Sequence, residues 1–352
     1  MVGLIGMGAR FFLHAPNIHS GGGLTLFKAL LQHIPNKACL IIDERLPITD
    51  EELSGFHIHR IKPTLWHRFE GERLLQRLTQ TGDAVLCFGN LPPLFRLQAH
   101  VALFIQNRHL IEPKLMEGMS WKLHLRLHFE RLWLRAFYGH ADKVIVQTPS
   151  MQVLASKYAS TEVLVASFSA NPDISPSPFY TGNDDKVYDF IYVASGEPHK
   201  NHRNLIDAWV ILSTQGFFPS LCLTVDVGKF SESFGYIEEK KNQYGLNIHN
   251  AGCLISDEVF NYYAKARALI FPSTLESFGL PLLEAQNAGL KVVASELDYV
   301  RDLLDPIESF DPHSPVSIAR AVNRFVGYGE KKTPVLNAEE FLQKVIGRNH
   351  DV

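Results

Sequence analysis

Cysteine is scarce in this chain, and the little there is lies scattered. Cys39, Cys87, Cys222 and Cys253 show no C-x-x-C spacing, which excludes a zinc ribbon or a dithiol redox centre and fits reduced thiols in a cytoplasmic protein. No apolar run is long enough to span a bilayer, and the N-terminal stretch, interrupted at Arg10, lacks the ordered regions of a secretory signal. Charge of either sign is also not in excess. A formal net charge of -3 gives no global attraction to polyanions, so nucleic acid is not an expected partner. A solenoid repeat, a low-complexity tract, a D-x-D pair at a strand end and a histidine or cysteine cluster with metal spacing are all missing, so no metal or other cofactor is expected. The phrase GMGARF precedes the first strand instead of following one, which argues against a nicotinamide-dependent dehydrogenase.

What is present is an ordinary folded composition, 46% hydrophobic and 20% charged, over 352 residues. That length exceeds what one core usually serves, so two domains are expected. Short β-branched or aromatic runs alternate with longer stretches of helical period, the pattern of parallel βαβ units and hence of an α/β fold. The first half offers RFFLHA, ACLIID, AVLCFG, VALFIQ, KVIVQT and EVLVAS as strands, with helices over Leu24 to His33 and Trp121 to Phe137. The second offers YDFIYVAS, LCLTVDV, NIHNAG, ALIFPS and KVVAS. Between them SANPDISPSPFYTGNDDK cannot supply a packed core and reads as a linker. The boundary is placed near residue 180, giving domains of 1–180 and 181–352.

The most informative segment is ALIFPSTLESFGLPLLEAQNAGLKVVAS. A buried strand is followed by a loop and by a helix with Pro281 at its first position, ended by Gly289. Ligands of open α/β sheets bind beyond the carboxyl ends of the strands, where a helix start presents unpaired amides and a positive dipole end to an anion. Backbone N–H groups of Ser277, Phe278, Gly279 and Leu280 are therefore candidates to hold a pyrophosphate, with Gly279 allowing close approach. Glu276 and Glu284 bracket them. Two carboxylates beside an anion suit neutral hydroxyls instead, so Glu284 is assigned to ribose and Glu276 to a transferred sugar. The alternative is that Glu284 only complements the helix dipole and Glu276 is a solvated loop acid.

This E-x7-E segment, with FPS before it and A-x-x-A-G after it, resembles the signature of glycosyltransferase family 4. The resemblance extends over roughly residues 187 to 327. It implies the GT-B architecture, two doubly wound Rossmann-like domains facing across a cleft, the C-terminal one holding the donor. It also implies retaining transfer from a nucleotide diphosphate sugar, with Glu284 on the ribose and Glu276 near the donor sugar.

A second element of the resemblance is SGEPHKNHRNLIDAW, which follows YDFIYVAS and opens a helix with Leu205, Ala208, Trp209 and Leu212 on its apolar face. Lys200 sits at this strand-to-helix crossing, where an ammonium stabilises the charge developing on a departing diphosphate. Many relatives carry an arginine about six residues earlier; here the position is Ala194, and Arg203 or Arg108 are the substitutes to consider. In the first half, Gly21, Gly22 and Gly23 precede a helix, and Gly22 and Gly23 are candidates to line the donor side of the cleft. Asn107, Arg108 and His109 lie just beyond VALFIQ, Arg108 suited to a phosphate and His109 to donor or acceptor sugar. Lys200, Glu276 and His109 form the expected catalytic set.

The stretch MSWKLHLRLHFERLWLRAFYGH, with Lys122, Arg126, Arg131 and Arg135, has two readings. One is a helix resting on anionic lipid at the inner membrane face; the other is a core helix with solvated cations. The combination QNRHLIE, VQTPSMQ, EPHKN and LDYVRD resembles bacterial enzymes of O-antigen and related lipopolysaccharide assembly. That implies a hexosyltransferase acting without a metal on a sugar or lipid-linked glycan acceptor, in the cytoplasm with the option of peripheral membrane contact. A GT-B epimerase of nucleotide sugars and a non-catalytic sugar-nucleotide-binding partner are the rival readings.

Overall fold

The structure, a computed structural model, describes residues 9–112, 121–159, 161–168 and 186–328. The first unit runs β1 (Phe11–Ala15), α1 (Gly21–Leu31), β2 (Cys39–Asp43), β3 (His57–Ile61), α2 (Leu65–Leu78), β4 (Ala84–Cys87) and β5 (His100–Phe104). It continues with α3 (Trp121–Phe137), β6 (Lys143–Val146), α4 (Pro149–Ala155) and β7 (Glu162–Val165). Its seven strands are all parallel, in the order β3-β2-β1-β4-β5-β6-β7.

The second unit runs β8 (Tyr188–Tyr192), α5 (His202–Thr214), β9 (Leu221–Leu223), α6 (Ser231–Tyr244), β10 (Ile248–Asn250), α7 (Ser256–Ala264) and β11 (Ala266–Phe271). Then come α8 (Leu280–Asn287), β12 (Lys291–Ser295), α9 (Asp298–Arg301), β13 (Glu308–Phe310) and α10 (Pro315–Phe325). Its six parallel strands follow the order β10-β9-β8-β11-β12-β13. The architecture expected from the sequence, two parallel sheets interleaved with helices, is the one observed.

Strands of period two send neighbours to opposite faces, and here each face is covered. Phe12 and Ile41 join one apolar cluster of the first unit, while Leu13 and Leu40 join the other. That double burial explains why β2 reads as CLIID, with every residue buried. The second unit has one core around Phe190, Trp209, Phe271 and Tyr299. In each sheet the strand order reverses beside the first strand, between β1 and β4 and between β8 and β11. Crevices at such points, beyond the strand carboxyl ends, are where α/β sheets bind ligands.

Several expectations need correction. β3 and β13 carry no strand signal, because HIHRI and ESF are half polar and lie at sheet edges. LCLTVDV and NIHNAG shorten to three-residue strands. Helix α1 begins at Gly21, so the three glycines form its first turn instead of preceding it. Pro281 is the second helical residue of α8, because Leu280 comes first and Gly279 caps it. The linker, the boundary near residue 180 and the phrase GMGA before Arg10 fall wholly or mostly outside the described residues.

Candidate active site

The loops that leave β8 and β11 meet at the switch point of the second sheet. After β8 the chain makes a short turn, Pro198–Lys200, and Asn201 then takes a left-handed conformation (φ 62°) before α5. That conformation is costly for most residues and is best tolerated by glycine, asparagine and aspartate. The Asn201 amide holds it by donating to the carbonyls of Pro272 (2.9 Å) and Pro312 (2.7 Å). The Thr274 N–H donates to the His199 carbonyl at 2.8 Å, and the Ser273 hydroxyl reaches the same oxygen at 3.1 Å. Two loops some seventy residues apart are thus joined through their backbones.

This joining seats Lys200 against Glu276, Nζ to Oε1 at 2.7 Å, with both side chains largely shielded from solvent. Pairing suits both, since either charge alone in that setting would carry a desolvation cost. Glu284 lies one helical face along α8, half-buried, and accepts from the Tyr263 hydroxyl at 3.3 Å. Burial pushes its carboxyl above the usual range, with the Tyr263 hydrogen bond opposing. Gly279, at φ 84°, has a conformation that L side chains rarely adopt, and a Cβ there would come within 3.0 Å of Leu282 Cδ1. No side chain caps the start of α8; Pro281 has no N–H and the Leu282 N–H turns back to the Gly279 carbonyl at 2.9 Å, so the Leu280 N–H and those just ahead of it are the amides offered to an anion.

The first unit meets this surface. Gly22 faces Leu280, whose Cδ1 would lie 3.5 Å from an added Cβ, and Leu280 packs against the first unit's apolar cluster. Gly23 lies over Ile18 and Gln106. Asn90 accepts from the N–H groups of Gln106 and Asn107, and Asn107 Oδ1 accepts from the His109 N–H at 3.0 Å, which fixes the turn after β5. The Arg108 N–H then donates to Ser277 Oγ at 2.8 Å.

The Arg108 side chain does something other than the sequence reading assigns to it. Its planar fork closes on both oxygens of Asp298 (2.9 and 2.8 Å) and its Nε on Glu112 (2.7 Å). Two carboxylates already occupy the geometry that would grip a phosphate. Arg203 lies over the Tyr236 ring at 4.4 Å, on the exposed side of α5. Ala194 spends its N–H on the Thr224 hydroxyl. Lys200 is therefore the cation that stands beside Glu276.

His109 sits edge to face with His199 across the two units, ring centroids 5.6 Å apart. Burial, with the nearby Arg131, Lys200 and Arg108 charges, lowers the His109 pKa to about 4. Burial, Lys200 and His109 lower that of His199 to about 3. Both rings are neutral near pH 7, and each has a buried Nδ1 without a hydrogen-bond partner. A neutral imidazole with a free nitrogen can serve a sugar hydroxyl as donor or acceptor according to its tautomer. Sequence reasoning passed over His199, although it stands inside EPHKN, and over Asp298, whose partner is 190 positions away. No spacing rule could have found the second.

Residues 174–333, most of the second unit, match the family described as Glycosyl transferases group 1. The match spans all the described strands and helices of the second unit and none of the first. Among curated proteins it is 27% identical over 223 residues to the serotype-specific mannosyltransferase WbdA of Escherichia coli, covering 57% of this chain and 27% of that one. It is 33% identical over 109 residues to the Escherichia coli O-antigen chain mannosyltransferase B, covering 30% of this chain and 28% of the other. It thus spans little more than a quarter of the length of these relatives.

Among solved structures, Anabaena HepE in complex with UDP-glucose superposes with a TM-score of 0.66 at 16% identity, covering 90% of this chain and 89% of that one. Sucrose-phosphate synthase from Thermosynechococcus elongatus gives 0.66 at 15%, covering 91% and 90%. The likeness spans both units, and the fold is GT-B.

Proposed function

We propose that the chain is a retaining family 4 glycosyltransferase that moves a hexose from a nucleotide diphosphate sugar to an acceptor hydroxyl, without a metal ion. The observation that carries the reading is the Lys200–Glu276 pair at the switch point, beside the start of α8, which no side chain caps. An incoming diphosphate competes with Glu276 for the Lys200 ammonium, and Glu276 is then free to accept hydrogen bonds from hydroxyls of the transferred sugar. As the bond from the anomeric carbon to the diphosphate breaks, charge grows on the leaving oxygen. Lys200 and the amides of Ser277, Phe278, Gly279 and Leu280 stabilise it in place. The acceptor oxygen bonds to the same face of that carbon and its proton passes to the departing diphosphate. Glu284 takes the ribose hydroxyls, while His109 binds the sugar from the first unit and Gly22 and Gly23 line the opposite wall. Asn107 supports His109 by accepting its N–H.

The relatives named as mannosyltransferases make mannose the sugar to test first and O-antigen assembly the setting, with a lipid-linked glycan as acceptor. A cytoplasmic enzyme touching the inner membrane face suits such an acceptor. The test is a panel of nucleotide sugars scored by melting temperature, because a ligand that binds only the folded state raises it. The stabilising donor should then yield a glycosylated lipid-linked acceptor in the presence of a chelator. If no donor raises the melting temperature, the reading fails; product formed from donor alone would point to the epimerase; and loss of transfer on chelation, restored by manganese, would remove metal independence.

A further inference from the structure

Helix α3 has one buried face and one exposed face, and Arg131, read as a solvated cation, lies on the buried one. Leu127, Arg131 and Leu134 face inward and are buried. On the outside, Trp121 (70% exposed), Leu125 (49%), Phe129 (62%) and Leu132 (49%) remain in solvent. At 3.6 residues per turn these four fall within an arc of roughly 80°, a continuous stripe along the helix. Exposed Lys122 and Arg126 border it on one side, and His128 and Arg135 on the other. Single exposed apolar residues need no explanation, but a contiguous stripe that includes a tryptophan and a phenylalanine marks a contact surface.

We infer that this outer face of α3 docks on an anionic lipid bilayer; the inference rests on the peripheral membrane contact proposed above and gives it a place. The charge pattern selects the occupant. The chain as a whole is slightly acidic, yet the stripe has cations on both flanks, and the one acid of α3, Glu130, is paired with Arg126 at 2.8 Å. Two like-charged rims would repel each other in a self-pairing interface, whereas they match anionic headgroups on either side of an inserted aromatic stripe. No described helix is long and apolar enough to cross a membrane, so the contact lies along the surface. The same helix reaches the cleft: on its inner face Arg131 donates to the His109 carbonyl at 2.8 Å. A docked α3 therefore holds the sugar-binding turn about one helix diameter, ~10 Å, from the bilayer.

The experiment is flotation of the whole chain with phosphatidylcholine vesicles, with and without phosphatidylglycerol, in the absence of any sugar substrate. The protein should float only with the anionic vesicles, and less as salt rises. The pair Leu125→Glu and Phe129→Glu should abolish flotation while the melting temperature and its increase on donor binding stay unchanged. Lys122→Glu with Arg135→Glu should weaken binding at least roughly 30-fold, from about fivefold per cation lost. Flotation equal on neutral vesicles, wild-type flotation by the variants, or no flotation at all would overturn the inference. So would a wild-type dimer on gel filtration that Phe129→Glu converts to monomer. A chain that floats as expected but takes up no donor would leave docking in place and remove the glycosyltransfer reading instead.

Discussion

At the scale of single residues, Lys200 and Glu276 matter through each other. If the ammonium meets growing charge on the diphosphate, Lys200→Ala should lower turnover by a larger factor than it weakens donor binding. Glu276 would be left shielded and unpaired, so Lys200→Met should behave no better, whereas Lys200→Arg should restore part of the rate because it keeps the charge with a different reach. Steady-state kinetics with donor affinity measured separately decides the matter, and wild-type turnover in Lys200→Ala would remove the role. The histidines give a second prediction. His14, His109 and His202 have pKa values lowered to about 4 and His199 to about 3, chiefly by burial. Unfolded, each takes its proton near the ordinary 6.5, so between about pH 6.5 and 4 the unfolded chain binds more protons than the native one. Stability should be at its full value above that window and fall as pH drops through it. His199→Gln should make the fall shallower in urea titrations at stepped pH; an unchanged slope would mean that His199 is not buried neutral in solution.

At the scale of elements, the start of α8 is the part most exposed to a backbone change. Gly279 stands at φ 84° with Leu282 close by. Gly279→Ala should cost about 1 to 2 kcal/mol in stability from the left-handed conformation. It should also weaken nucleotide binding beyond that loss by turning the first amides of the helix. Chemical denaturation beside calorimetric titration with the nucleotide diphosphate separates the two, and unchanged affinity would deny those amides a part in binding. The same element shows what is legible in a sequence. ALIFPS, the following loop and Gly289 announce strand, turn and helix because local rules of burial, proline and glycine govern all three. By contrast HIHRI is a strand only because β2 lies beside it, its backbone pairing from His57 to Ile61 with Cys39 to Asp43. An edge strand with one solvated face owes its existence to its neighbour rather than to its own pattern.

At the scale of the molecule, the polar contacts that join the two units include Arg108 to Asp298, the Arg108 N–H to Ser277, and the Ser150 N–H to Asp302 at 3.0 Å. Arg108 is buried, and its partner Asp298, half-exposed, is held ionised below the usual carboxylate range by hydrogen bonds and the guanidinium charge, against the opposing effect of burial. Asp298→Ala leaves the Arg108 fork with Glu112 alone and should loosen the closed arrangement. Small-angle scattering should show a larger radius of gyration for this variant, shrinking on addition of the nucleotide, with donor KM raised several-fold and kcat less affected. Equal radii for variant and wild type would show that apolar contacts such as Gly22 with Leu280 suffice to hold the units.

The parallel α/β class and the strands and helix starts that flank Lys200, Glu276 and Glu284 were readable from the chain alone, because each follows from neighbours within about a dozen positions. Only the folded molecule decided that Lys200 pairs with Glu276, that Arg108 grips Asp298 instead of remaining free, that His199 faces His109, and that α3 turns one apolar face inward and leaves another outside. Those outcomes depend on which strand ends lie side by side and on how two sheets meet. Such contacts join residues 76 to 190 positions apart, and no local periodicity carries a record of a partner at that distance.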